Sequence, residues 1–152
     1  MRPQGRLLGL DYGEVRIGVA ISDPERRIAS PVEVYHRRSQ HEDADYFRRL
    51  VFQKNITGIV VGLPRRLSGE EGSAAEAARH FGQWLQEITG LRVAYWDERL
   101  TSQLAERLMQ KAGWTPRTRR EKADMIAAQV ILQSYLDAGC PISPQTAPSE
   151  PS

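Results

Sequence analysis

At 152 residues the chain has the length of about one cored domain, and its 40% hydrophobic and 26% charged residues exclude a disordered, collagen-like or coiled-coil chain. Its longest apolar stretches, around 15–21 and 56–63, are too short for the ~20 residues of a bilayer span, and Asp11 interrupts the first apolar run before it could serve as a signal-peptide core, so a cytoplasmic protein is expected. Net charge is only +2, and Cys140, the lone cysteine, excludes an internal disulfide and a thiolate metal cluster.

In chain order, Arg6 to Tyr12 is a short apolar run, and Val15, Ile17, Val19 and Ile21 alternate at period two, which predicts a hairpin turning at Gly13-Glu14. A third strand is expected at Ile28 to Tyr35, where Pro31 points to an edge or bulged position. A helical face follows within 42–54 through Phe47, Leu50 and Val51, then a buried β-run from Ile56 to Leu63 closed by Gly62-Leu63-Pro64. Ser73 with Glu76 reads as a capping box for a helix over 73–89, stopped by Gly90. Leu91 to Trp96 is a fifth strand, and two more helices are expected at 102–112 and 120–138. Right-handed crossovers make the fourth and fifth strands parallel. The expected fold is therefore α/β, a five-stranded mixed sheet whose first three strands are antiparallel, flanked by helices over residues 1–140. Pro141, Pro144, Pro148 and Pro151 predict a disordered Pro-rich tail over 141–152.

Asp11 lies within an apolar strand, where an unpaired carboxylate costs several kcal/mol. A turn-forming role beside Gly13 is one explanation, and a metal ion is the other. Asp97-Glu98 follows the fifth strand at the sheet edge where α/β proteins place their ligands. Asp97 suits a helix cap, whereas Glu98 is less easily explained, because Thr101 or Ser102 is better placed to cap the next helix. Asp124 sits in the first turns of the predicted last helix, where the macrodipole favours an acid. Ala123, Ala127 and Ala128 around it allow that helix to approach the sheet and bring Asp124 near Asp11. Three carboxylates on one site would suit Mg²⁺ or Mn²⁺, one or two ions, rather than zinc. The histidines His36, His41 and His80 show no ligand spacing and read as surface or structural residues. No P-loop, dinucleotide fingerprint, nucleophile elbow or HExxH motif is present.

The basic side is dominated by arginine, since Lys54, Lys111 and Lys122 are the only lysines among 21 basic residues. Arg37, Arg38, Arg65, Arg66, Arg117, Arg119 and Arg120 make a candidate nucleic-acid footprint. A G+C-rich genome would produce the same bias without any function. Arg65 and Arg66 stand out because their loop joins a strand end to a helix N-terminus, a site that attracts phosphate, although Glu70 and Glu71 oppose it.

Taken together, Gly9-Leu10-Asp11-Tyr12-Gly13 with Arg16-Ile17-Gly18-Val19-Ala20, Val61-Gly62-Leu63-Pro64 with Gly69 and Gly72, Asp97-Glu98-Arg99-Leu100-Thr101-Ser102, and Lys122-Ala123-Asp124 with Ala127-Ala128 resemble the YqgF/RuvX proteins, relatives of the RuvC resolvases. The resemblance covers about 7–138 and implies an RNase H-like fold. It implies a metal-dependent nuclease acting in maturation of the small-subunit ribosomal RNA precursor, with Asp11, Glu98 and Asp124 as its acids. RuvC proteins carry an acid at the end of the fourth strand, where this chain has Gly62-Leu63-Pro64, so Glu98 would have to reach across that glycine. Arg99, Lys122 and the 117–120 run are candidates for holding the nucleic-acid backbone. Structured RNA or branched DNA is the expected partner, with no membrane and a homodimer left open.

The same opening motif is similar to the first phosphate motif of actin-like sugar kinases, but those need more than twice this length. Two alternatives to the RNA nuclease stay open: a Holliday junction resolvase acting on four-way DNA, and a non-catalytic nucleic-acid-binding module.

Overall fold

The computed structural model describes residues 5–64, 68 and 70–141. Its elements run β1 (Arg6–Asp11), β2 (Arg16–Ser22), β3 (Ala29–His36), α1 (Gln40–Gln53), β4 (Ile56–Leu63), α2 (Ser73–Thr89), β5 (Val93–Asp97), a 3₁₀ turn over Glu98–Leu100, α3 (Ser102–Ala112) and α4 (Pro116–Asp137). The strands form one sheet in the order β3-β2-β1-β4-β5. β1 to β3 pair antiparallel, while β4 pairs parallel to both β1 and β5. β3 is the edge strand that Pro31 predicts, and the register shifts beside it between Val19 and Ala20.

Strand alternation divides the core between the two faces of the sheet. Leu8, Leu10, Ile17, Val19, Ile59, Val61 and Leu63 meet Phe47 and Leu50 of α1 and Phe81 and Leu85 of α2. The other face, with Leu7, Ala20, Ala29, Val60 and Ala94, is covered by Ala128, Ile131, Leu132, Tyr135 and Leu136 of α4. Small residues on this face bring α4 close. A Cβ on Gly9 would lie 2.7 Å from Leu132 Cβ, and one on Gly18 would fall inside contact distance of the Asp124 carbonyl. Among the three alanines expected to permit this approach, only Ala128 is buried, so the glycines of β1 and β2 matter more than Ala123 and Ala127.

Helix starts differ from expectation for local reasons. α1 begins earlier, at a capping box formed by Ser39 and Glu42. The predicted box at Ser73 does not form, because Gly72 takes the N-cap position and no side chain caps α2. α4 begins at Pro116, behind a Thr115 hydroxyl that accepts from the Thr118 N–H, since proline is pre-set for the first helical position. Asp124 thus lies beyond the first turn, and the macrodipole does not account for it. Among the described residues no helix is long and apolar enough to cross a membrane. Of the expected tail only Pro141 is described, its carbonyl accepting from Tyr135 Oη at 2.6 Å; 142–152 lie outside the described residues.

Candidate active site

Asp11 ends the central strand β1 on the same side as Leu7 and Gly9, so its side chain belongs to the α4 face. Across the ladder it pairs with Gly18, against which the α4 backbone rests at Asp124. Glu98 follows β5, two strands away from β1, and β4 lies between them. It crosses β4 over Gly62, where an added Cβ would meet Glu98 Oε2 and Ile131 Cδ1, each at 2.5 Å. Absence of a side chain at the end of β4 is what lets the Glu98 carboxyl reach Asp11.

The two carboxyl groups lie close enough for each to affect the ionisation of the other. Burial, then the charges of Glu98 and Asp124, push the Asp11 carboxyl up to about 8. Burial also raises Glu98 above its ordinary value, although Asp11 beside it works the other way. Asp124 completes the acidic surroundings, but its Oδ2 accepts from Arg16 Nε at 2.9 Å. Among the described residues no three His, Cys, Asp or Glu side chains are gathered closely enough to hold a metal ion as they stand. Asp11, Arg16 and Asp124, with Tyr12 to Val15, line a cleft of about 320 Å³.

Asp97 has a different environment. Its carboxylate accepts from the Arg99 backbone N–H at 2.9 Å, capping the 3₁₀ turn, and pairs with the Arg99 guanidinium at 2.6 Å. Arg99 is therefore engaged by its neighbour. Arg117 pairs with Glu121 at 3.4 Å and Arg119 with Glu106 at 3.5 Å, so two of the three arginines in the basic run already face carboxylates. No such pair is present for Arg120 or Lys122 among the described residues. Arg65 and Arg66 lie outside the described residues.

Two ion pairs had no local signal in the sequence. Arg16 joins β2 to Asp124 of α4, and Arg37 joins the buried Asp43 of α1 to the Tyr12 hydroxyl (3.1 Å) and the Gly13 carbonyl (3.4 Å) of the turn after Asp11. Burial opposes ionisation of Asp43, and hydrogen bonds from Tyr35, the Arg38 backbone and Arg37 outweigh it, holding the carboxyl below its ordinary range.

A family model for RuvX, described as Holliday junction resolvase, matches residues 5–138. The chain belongs to the RuvX family. The chain is also similar to proteins named "Putative pre-16S rRNA nuclease": that of Rhodopirellula baltica is 42% identical over 88% of this chain and 78% of its own, and that of Syntrophus aciditrophicus 42% over 95% of both. In structure, RuvC of Thermus thermophilus in complex with a Holliday junction substrate superposes with a TM-score of 0.56 at 14% identity, covering 90% of this chain and 96% of that one. Fowlpox virus resolvase superposes with a TM-score of 0.57 at 10% identity, covering 90% and 99%. These likenesses show that the RuvX chain has the RNase H-like fold of the resolvases.

Proposed function

We propose that this RuvX-family chain is a divalent-metal-dependent nuclease that hydrolyses phosphodiester bonds in RNA, with the precursor of small-subunit ribosomal RNA as its substrate. The observation that carries the reading is the buried Asp11–Glu98 carboxyl pair at the carboxyl end of the central strand, within electrostatic reach of Asp124. The names of the relatives support RNA as the substrate.

The donor set fits a hard cation. All the atoms it offers are carboxylate oxygens, and the burial of Asp11 beside the charges of Glu98 and Asp124 marks the place where positive charge is needed. Asp11, Glu98 and Asp124 would hold one or two Mg²⁺ or Mn²⁺ ions; once bound, such ions supply a water of lowered pKa and stabilise the leaving oxygen. Holding such an ion would call for Asp11 and Glu98 as carboxylates and for Asp124 to give up its pair with Arg16, whose guanidinium, half exposed beside the cleft, would then be available to a substrate phosphate. Arg120 and Lys122 extend the cationic surface along the first turns of α4, and Arg99, Arg117 and Arg119 join it when phosphate displaces their carboxylate partners.

Incubating one preparation, with Mg²⁺ or Mn²⁺, with ribosomal RNA precursor, generic single strands and four-way DNA junctions tests this reading. Cleavage of the precursor is expected. Cleavage of junctions alone would make the chain a resolvase, and cleavage of nothing a binding module.

Glu98 and Asp97 separate by their metal response. Metal at a hundredfold excess over Kd should stabilise the wild type by about 2.7 kcal/mol through mass action, and Glu98→Gln should lose most of this gain together with activity. Asp97→Asn should instead keep the cap, which an asparagine oxygen supplies equally well, lose stability only through its ion pair with Arg99, and keep the metal response. Thermal melts with and without metal decide the matter; a metal response lost in Asp97→Asn and kept in Glu98→Gln would move the ligand role to Asp97.

Replacing Arg117, Arg119 and Arg120 together by alanine should reduce the slope of log affinity against log salt by about 2, at 0.7 to 0.9 per phosphate contact. An unchanged slope would make the run a solvated helix face whose charges serve Glu121 and Glu106.

A further inference from the structure

On the opposite side of the end of β1 from the carboxylates lies a second cavity, of about 420 Å³, lined by Tyr12, Arg37, Gln40, Ala77, His80, Phe81 and Trp84. We propose that it is a nucleobase-binding subsite, which receives an unpaired base of the RNA strand flanking the bond to be cut; it rests on the RNA-nuclease reading above.

Tyr12 directly follows Asp11, so strand alternation turns its ring to the α1/α2 face while the carboxyl faces α4. One strand of nucleic acid passing over this end of the central strand can therefore touch both places, one on each face of the sheet. The Tyr12 ring lies 4.6 Å from Phe81, and Phe81 5.8 Å from Trp84, with interplanar angles of 33° and 31°. Tyr12 and Trp84 are only partly buried, so this aromatic row remains open to the cavity. The Arg37 guanidinium stands 5.4 Å from the Tyr12 ring centre and 5.8 Å from that of Phe81. Its Nε is fixed on buried Asp43 and its Nη1 on Tyr12 and Gly13, while Nη2 has no partner among the described residues.

The chemistry of these walls selects a base. Aromatic faces stack any base, and a fixed arginine adds a flat cation suited to a π-system or a phosphate. Gln40 and His80, both exposed, bring donors and acceptors for a base edge. Among the described residues no acid lines this cavity, in contrast to the neighbouring cleft with Asp11, Glu14 and Asp124.

The test uses the full chain in EDTA with a short single-stranded oligoribonucleotide spanning a cleavage site, and with variants carrying one abasic nucleotide at each position in turn. One abasic position next to the cleaved bond should weaken wild-type binding by about 5- to 150-fold, the range for one stacked base. Trp84→Ala should bind the intact strand as weakly as wild type binds that abasic strand, with no further loss on combining them, and Trp84→Phe should restore most of the affinity. Should Trp84→Ala fail to fold, the exposed pair Gln40→Ala and His80→Ala should reduce the abasic penalty, and Trp84 fluorescence in a Trp96→Phe, Trp114→Phe background should be quenched by the intact strand only. A flat abasic scan on a protein that still binds and cleaves RNA would overturn the subsite and leave the nuclease intact. Absence of both RNA binding and RNA cleavage would overturn the nuclease reading, and the subsite with it.

Discussion

Asp11→Asn is expected to lower phosphodiester cleavage by about 10²- to 10³-fold, the scale on which a preorganised charge-stabilising group acts, while affinity for RNA stays within about twofold. The amide keeps the shape of the side chain and can hydrogen-bond Glu98, but it offers a cation one neutral oxygen where there had been a carboxylate. Folding should not suffer. The wild-type carboxyl is held up to about 8, above its unfolded value of 3.8, so the folded chain binds the extra proton between those limits. Its contribution to stability therefore falls as pH rises from about 4 to about 8 and is constant above that. The amide carries no such dependence. In metal-free buffer the variant should melt at the same temperature as wild type or higher, with the difference growing from pH 5 to pH 8. Parallel melts and cleavage assays check both halves, and normal cleavage by a folded variant would remove Asp11 from the site.

The largest effect on stability is expected from a single added methyl group. In Gly18→Ala the new carbon would collide with the carbonyl oxygen and carbon of Asp124 and approach Met125 N at 3.0 Å, all backbone atoms of α4. No side chain there can rotate away, so the helix must lift from β2. Overpacking of this kind costs about 3 kcal/mol, a fall in Tm on the order of 10 °C for a chain of this size. Activity should fall as well, since Asp124 moves with the helix. Gly58→Ala is the control: its added carbon meets only Leu7 Cδ2, the mobile end of a side chain, at 2.9 Å, and should cost far less. If Gly18→Ala melts and cleaves like wild type, α4 does not rest on β2 at this point.

Much of the site was legible in the sequence because burial and charge conflict visibly. Asp11 within an apolar strand is a local contradiction that points to a ligand, whereas the cap expected from Thr101 does not form, because its hydroxyl donates to the Glu98 carbonyl instead. Gly62 is legible once Glu98 is required to cross it. The start of α4 was not, because Arg117 to Lys122 carries no apolar period and Pro116 is a helix signal only when Thr115 is seen to cap it. The Ser73 and Glu76 pattern matched a capping box, yet Gly72 took the position that the box requires. Arg16 with Asp124, and Arg37 with Tyr12, join residues 108 and 25 positions apart in the chain, and no local window of sequence displays such a pairing.

Covering one whole face of the sheet with α4 has a consequence for the order of synthesis. Strands β1 to β5 and helices α1 and α2 leave the ribosome first, and they can close the face that holds Leu8, Leu10 and Phe47 while α4 is still to be made. Until α4 emerges, Leu7, Ala20, Val60 and Ala94 have nothing to bury them. The nascent chain then holds Asp11 and Glu98 without Asp124. The chain is translated beside RNA, yet Asp11, Glu98 and Asp124 come within electrostatic reach of one another only when the last helix docks.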